Sequence, residues 1–212
     1  MKIVSTNIAK PKTIVWKGKE VPTGLFKIGV TKGIFLDKED VKHDNVIDRR
    51  YHGGTDKACY LYSTDHYEYW QKLYPDLEFP WGMFGENLSV EGLNEKEINI
   101  GDSYKIGQSV VQVTQPRQPC FKLQFRFHNN DIVRQFIESG FSGVYVRVLQ
   151  KGHVNPGDSI QLINKKQSLS IHDVYSLLYA DNYDKKVKEA IDDPFIAGSC
   201  KRDLMKRWSD HL

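Results

Sequence analysis

Period-2 alternation, recurring from the start of the chain to about Asn164, restricts the fold more than any other feature of this sequence. Val144, Val146 and Val148 alternate with Tyr145, Arg147 and Leu149, and Val111 and Val113 alternate with Gln112 and Thr114. Residues two apart on an extended chain share a face, so each run predicts a half-buried strand. Gly, Pro, Asn and Asp punctuate the runs. Asn155-Pro156-Gly157-Asp158 sets Pro and Gly where a type II turn uses them, and Gly-Asp-Ser occurs at 101–103 and 157–159, each time ahead of an apolar alternating run. Such reversals favour a barrel or sandwich over a parallel sheet.

Two helices interrupt the strands. Thr64 is the expected cap of a segment carrying Tyr67, Trp70 and Tyr74, and Asn130 of one carrying Ile132, Val133, Phe136 and Ile137 before Gly140 stops it. Beyond Asn164 the texture changes. A polar joint at 165–168 leads to Ser170 and Asp173, a capping box ahead of Ile171, Val174, Leu177 and Leu178. Two further helical patterns run over 184–191 and 199–211. The expectation is a mostly β domain with a few helices over residues 1–166, followed by a three-helix extension over 167–212.

Lys and Arg number 30 against 27 Asp and Glu, a mild excess that suits a small anionic ligand and does not indicate dedicated nucleic-acid binding. The aromatic residues lie mostly at spacings that a core requires. Cys59, Cys120 and Cys200 are odd in number and widely spaced, which excludes a readable disulfide framework and a structural zinc motif and points to a reducing cytoplasm. The N-terminus lacks a long apolar region, and no stretch approaches the run of about 20 apolar residues that crosses a bilayer.

The most chemically informative run is Gln115-Pro116-Arg117-Gln118-Pro119-Cys120-Phe121-Lys122. Two prolines fix the backbone around Arg117, so the thiol of Cys120 is presented from a stiff turn. Arg117 and Lys122 bring positive charge towards the sulfur, which favours thiolate, the form that attacks electrophiles and binds soft metals. A small buried hydrophobe is the alternative role for such a cysteine. A second run, His52-Gly53-Gly54-Thr55-Asp56-Lys57, follows Arg49-Arg50; paired glycines let backbone N–H groups close on an anion, and Lys57 adds charge. The same residues also make an ordinary tight turn. In a third, Phe84-Gly85-Glu86-Asn87-Leu88, Asn87 offers donors and an acceptor to a heterocycle edge, or to a turn.

Taken in order, His-Gly-Gly-x-Asp-Lys-Ala at 52–58, Phe-Gly-Glu-Asn-Leu at 84–88, Ile-Gly-Asp at 100–102, Pro-Arg-x-Pro-Cys-x-Lys at 116–122 and Gly-x-Val-x-x-Gly-Asp at 152–158 resemble the MOSC domain. The tail resembles the three-helix extension of the YiiM-like subgroup. One departure stands out: family members commonly carry Gly-Asp shortly before the His-Gly-Gly, where this chain has His43-Asp44. The resemblance implies a MOSC-type β-barrel that binds the molybdenum cofactor, a phosphorylated pterin dithiolene. Cys120 would be the metal ligand, with His52, Gly53, Gly54, Lys57, Arg117 and Lys122 holding phosphate or pterin and Asn87 at the pterin edge. It further implies reduction of N-hydroxylated compounds, such as hydroxylamino nucleobases; an imidazole titrates near neutrality, which makes His52 the expected proton donor. Electrons would come from a separate reductase, since no dinucleotide fingerprint follows a strand. The alternative it leaves open is a carrier that passes persulfide sulfur from Cys120. Docking on the barrel, shielding the site and supporting a homodimer are the roles open to the tail.

Overall fold

The structure, a computed structural model, describes residues 1–45, 47 and 53–212. Among these are twelve strands: β1 (Lys2–Ala9), β2 (Lys12–Trp16), β3 (Lys19–Thr23), β4 (Lys27–Gly29), β5 (Ile34–Leu36), β6 (Cys59–Ser63), β7 (Leu88–Glu91), β8 (Ser103–Ile106), β9 (Ser109–Pro116), β10 (Val144–Gln150), β11 (Gly152–Val154) and β12 (Ile160–Asn164). The helices are α1 (Tyr67–Leu73), α2 (Leu123–Phe127), α3 (Ile132–Ser139), α4 (Ile171–Tyr179), α5 (Lys186–Asp192) and α6 (Gly198–Arg207), beside short 3-10 turns. No helix among the described residues is long and apolar enough to cross a membrane.

Eight strands form one sheet in the order β12-β8-β9-β10-β6-β7-β1-β4, and the alternating runs read from sequence supply β9 and β10 at its centre. The sheet is mixed, because β6 and β7 run parallel, joined through α1. The expected barrel is not closed. Only one isolated bridge, Lys2 to Ser159, with neighbouring backbone bonds such as Ile3 N–H to the Asp158 carbonyl (2.9 Å), links β1 to the approach to β12 among the described residues. The Asn155–Asp158 reversal, closed by Asp158 N–H on the Asn155 carbonyl (3.1 Å), occupies the positions where a ladder would continue.

Alternation decides which layer each side chain joins. Cys59 and Leu61 of β6 and Val144, Val146 and Val148 of β10 enter the larger core, while Tyr60, Tyr62 and Tyr145 point the other way into an aromatic cluster with Trp70, Phe84 and Phe136. Because both faces of β6 are covered, all five of its residues are buried. The larger core also contains Ile171, Val174, Leu177, Val187, Ile191, Cys200 and Leu204. The tail helices are therefore built onto the sheet, sharing its apolar interior.

Local chemistry mostly follows the sequence. The Ser170–Asp173 capping box forms at α4, each side chain bonding the other's backbone N–H. Two caps differ. Ser63, not Thr64, accepts from Asp65 N–H ahead of α1, because a 3-10 turn over Thr64–His66 precedes that helix. Asp131 stands at the N-terminus of α3, where Asn129 rather than Asn130 accepts from its N–H (2.8 Å). β2 and β3 pair only with each other, so this hairpin stands outside the main sheet.

Candidate active site around Cys120

At the end of β9 the chain leaves the sheet in the turn that carries Arg117 and Cys120. Leu123 N–H bonds the Cys120 carbonyl (3.1 Å), and α2 begins there. Cys120 is half-buried, whereas Cys59 and Cys200 are fully buried. Burial pushes both of those thiols up, Cys200 to about 12, so neither is poised for chemistry. Cys120 opens onto a pocket of about 630 Å³, counting the part in contact with solvent, a size typical of small-molecule sites.

Lys57, Asn87, Arg117 and Lys122 line this pocket with it. Five of the residues expected from sequence thus meet in one place. Gly53 and Gly54 are not among the lining residues; Gly54, at φ +89°, starts the 3-10 turn over Thr55–Lys57 that delivers Lys57 to the wall. His52 lies outside the described residues, as do Arg49 and Arg50.

Arg117 is 3 % exposed. Its guanidinium carbon sits 5.3 Å from the Tyr60 ring centre and 5.4 Å from that of Phe136, a cation held between two aromatic faces. Nη1 is buried with no hydrogen-bond partner. Such an orphan is rare in a folded protein, and here it belongs to a residue that lines a cavity. Lys122 bonds the Pro22 carbonyl (3.2 Å) at the root of the β2–β3 hairpin, and Trp16 of that hairpin packs tilted on Phe121, ring centres 4.8 Å apart. The ammonium of Lys57 lies 6.0 Å from the Tyr145 ring centre; burial pulls its pKa below the ordinary lysine value, and the Asp203 carboxylate opposes that shift.

Asn87 lines the pocket, but its polar atoms are engaged with the protein. Oδ1 accepts from Tyr60 N–H (3.2 Å), and Nδ2 donates to Asp44 Oδ2 (2.8 Å) and the Asn7 carbonyl (3.3 Å). Asp44 is a hub: Oδ1 accepts from the backbone N–H of Ala9 (2.7 Å) and Asn45 (3.0 Å), and Oδ2 also pairs with buried Lys27. This hub pins Asp44 and Asn45 against the pocket. Gly24 makes the approach possible, since a Cβ there would lie 1.9 Å from the Asn45 carbonyl oxygen. His43 adopts φ +66°, the left-handed conformation that favours glycine over a residue with Cβ. Its neighbour Asp44 keeps its place regardless.

Sequence reasoning missed Lys27, Tyr60 and Tyr145 as pocket residues. Alternation marks Tyr145 only as a strand residue, and Lys27 gives no local signal because its partner is 17 positions away. Buried Glu86, beside Asn87, belongs to the frame. It accepts from Tyr67 Oη (2.5 Å), Ser89 Oγ (2.8 Å) and the N–H groups of Gly82 (2.7 Å) and Phe84 (3.1 Å), and burial raises its pKa. Among the described residues no group of three or more His, Cys, Asp or Glu is arranged to hold a metal ion.

A mixed sheet whose central strand ends in an Arg-x-Pro-Cys turn, with a cationic pocket around the thiol, defines a known class. The chain is a YiiM-like member of the MOSC domain family, whose model matches residues 48–161. It is 33% identical to YflK of Bacillus subtilis (strain 168) over 97% of this chain and 93% of that protein. The crystal structure of YiiM from Geobacillus stearothermophilus superposes with a TM-score of 0.81 at 34% identity, covering 97% of this chain and 98% of that one. A protein of Gibberella moniliformis (strain M3125 / FGSC 7600) named Reductase is 34% identical over 70% of this chain, which spans only 27% of that protein.

Proposed function

We propose that the protein binds the molybdenum cofactor through Cys120 and reduces N-hydroxylated compounds. One observation carries the proposal: the buried Arg117 guanidinium leaves Nη1 unpartnered, and Arg117 lines the pocket that also contains the Cys120 thiol. An anion that accepts from Nη1 removes the penalty of leaving that donor unmade, and Lys57 and Lys122 supply further positive charge for a phosphate and a dithiolene. A single thiolate suits a soft, sulfur-bound metal. A metal at Cys120 would draw its other ligands from the cofactor itself. The relative named Reductase supports a redox role.

When bound, the cofactor supplies two electrons to an N–OH group, which takes up two protons and leaves as N–H and water. The chain's own part is to hold the anionic group on Arg117, Lys57 and Lys122, to keep Tyr60 and Tyr145 as apolar walls, and to deliver protons. His52 is the proposed proton donor on sequence grounds, as the histidine of the His-Gly-Gly motif. The reducing electrons come from a separate reductase, and the proposed compartment is the cytoplasm.

Elemental analysis and released-pterin fluorescence on wild type and Cys120→Ser, both made in a host that produces the cofactor, test this reading. Molybdenum and pterin in the wild type, with molybdenum lost from the variant at unchanged thermal stability, is the expected result. Molybdenum retained by the variant would overturn the ligand assignment. Wild type free of molybdenum, with Cys120 labelled by a persulfide donor, would move the assignment to sulfur transfer.

A further inference from the structure

The three tail helices contribute no residue to the pocket wall, yet the last of them grips the turn that carries the thiol. Three hydrogen bonds make the connection. Ala197 N–H, at the start of α6, bonds the Thr114 carbonyl (3.0 Å); Ser199 Oγ donates to Gln115 Oε1 (2.9 Å); and Gln118 Nε2 donates to Asp203 Oδ2 (2.7 Å). The three acceptors and donors on the turn side run from the end of β9 to two residues before Cys120. Gln115 is 1 % exposed, so the accepting end of its bond to Ser199 is buried. Asp203 acts a second time, its carboxylate favouring the charged form of Lys57 on the pocket wall.

The anchorage is fixed from below as well. Cys200 and Leu204 of α6 are fully buried in the sheet's core, and Arg147 of β10 donates to the Phe195 carbonyl (2.9 Å) just before the helix. The residues that touch the turn therefore project from a rigid element. The family match ends at residue 161, so these contacts come from a part of the chain that the MOSC domain model does not include.

We infer that α6 sets the position of the Cys120 turn, with Ser199 and Asp203 as positioning residues acting through Gln115 and Gln118. The inference takes its interest from the proposed role of Cys120, but its test reads the turn directly. Amide hydrogen exchange is measured on the full chain for wild type, Ser199→Ala, Asp203→Ala and Asp203→Glu, together with the rate of Cys120 alkylation by iodoacetamide located by peptide mapping. Removing one such bond raises the locally opened population about fivefold. Exchange across residues 115–122 and alkylation of Cys120 are expected to accelerate by that order in both alanine variants, with β7 unchanged. Asp203→Glu is expected to restore wild-type rates.

Unchanged protection of 115–122 in both alanine variants would overturn the inference. So would a uniform loss of protection throughout the chain, with no rescue by glutamate, because that is the behaviour of a merely structural helix. Molybdenum content of Cys120→Ser, measured in parallel, keeps the two readings apart: if that variant retains metal, the ligand assignment fails while the exchange result stands.

Discussion

Replacing Arg117 by methionine separates what the guanidinium does for the fold from what it does for a ligand. The side chain is 3 % exposed, lies between two rings and leaves Nη1 without a partner. A buried unmade donor costs about 1–3 kcal/mol. Against this, each cation–π contact contributes about 0.5–2 kcal/mol, and a methionine sulfur on the same rings restores about 0.3–1.5 kcal/mol. The contributions nearly cancel, so the ligand-free variant is expected to fold with a stability within about 1 kcal/mol of wild type. Binding behaves differently: a lost charge-assisted hydrogen bond weakens an anion by about 1.5–3 kcal/mol, from roughly tenfold to somewhat above a hundredfold. Urea titration of ligand-free protein gives the first quantity, and inorganic phosphate affinity with molybdenum content gives the second. Stability lowered by more than about 3 kcal/mol with undiminished phosphate and metal binding would show that the guanidinium serves packing alone.

Three other outcomes follow from the geometry. Because burial lowers the Lys57 pKa, an anion held partly by its charge should lose affinity as pH rises through that lowered value, earlier than an ordinary lysine would allow; phosphate titrations above pH ~8, where the ligand's own charge is constant, check this, and Lys57→Met should abolish the dependence. His43→Gly removes a side chain from the left-handed region and should stabilise the protein by roughly 0.5–1 kcal/mol in urea titrations, a loss of stability being the contrary result. Cys59→Ser and Cys200→Ser each bury a hydroxyl among apolar neighbours and should cost about 1–3 kcal/mol while leaving molybdenum content unchanged; a metal-free Cys59 or Cys200 variant that remains folded would contradict their structural assignment.

Much of this was legible in the residues, and the exceptions have physical causes. Alternation announced β9 and β10 because each carries an inward and a sideways face, and the Ser170–Asp173 box announced α4 because capping is local chemistry. Closure of the barrel was not readable, since it depends on whether two distant strand ends share more than one bridge. The turn at Arg117 and Cys120 stood out because two prolines leave it few conformations. Asn87 lines the pocket as expected of a site residue, but that its amide is also engaged by Tyr60, Asn7 and Asp44 could not be read, since no spacing rule reveals partners 27, 80 and 43 positions away. The same holds for Lys27 and for the grip of α6.

The β2–β3 hairpin satisfies its backbone within its own ladder and touches the thiol turn through Trp16 on Phe121 and Lys122 on Pro22. Lifting it away would break no bond of the eight-stranded sheet; it would uncover an indole face and free one ammonium. The hairpin is thus held to the thiol turn by side chains and not by a shared ladder. Substitution at Trp16 would loosen the packing on Phe121, next to the thiol, while every ladder of the eight-stranded sheet stays intact.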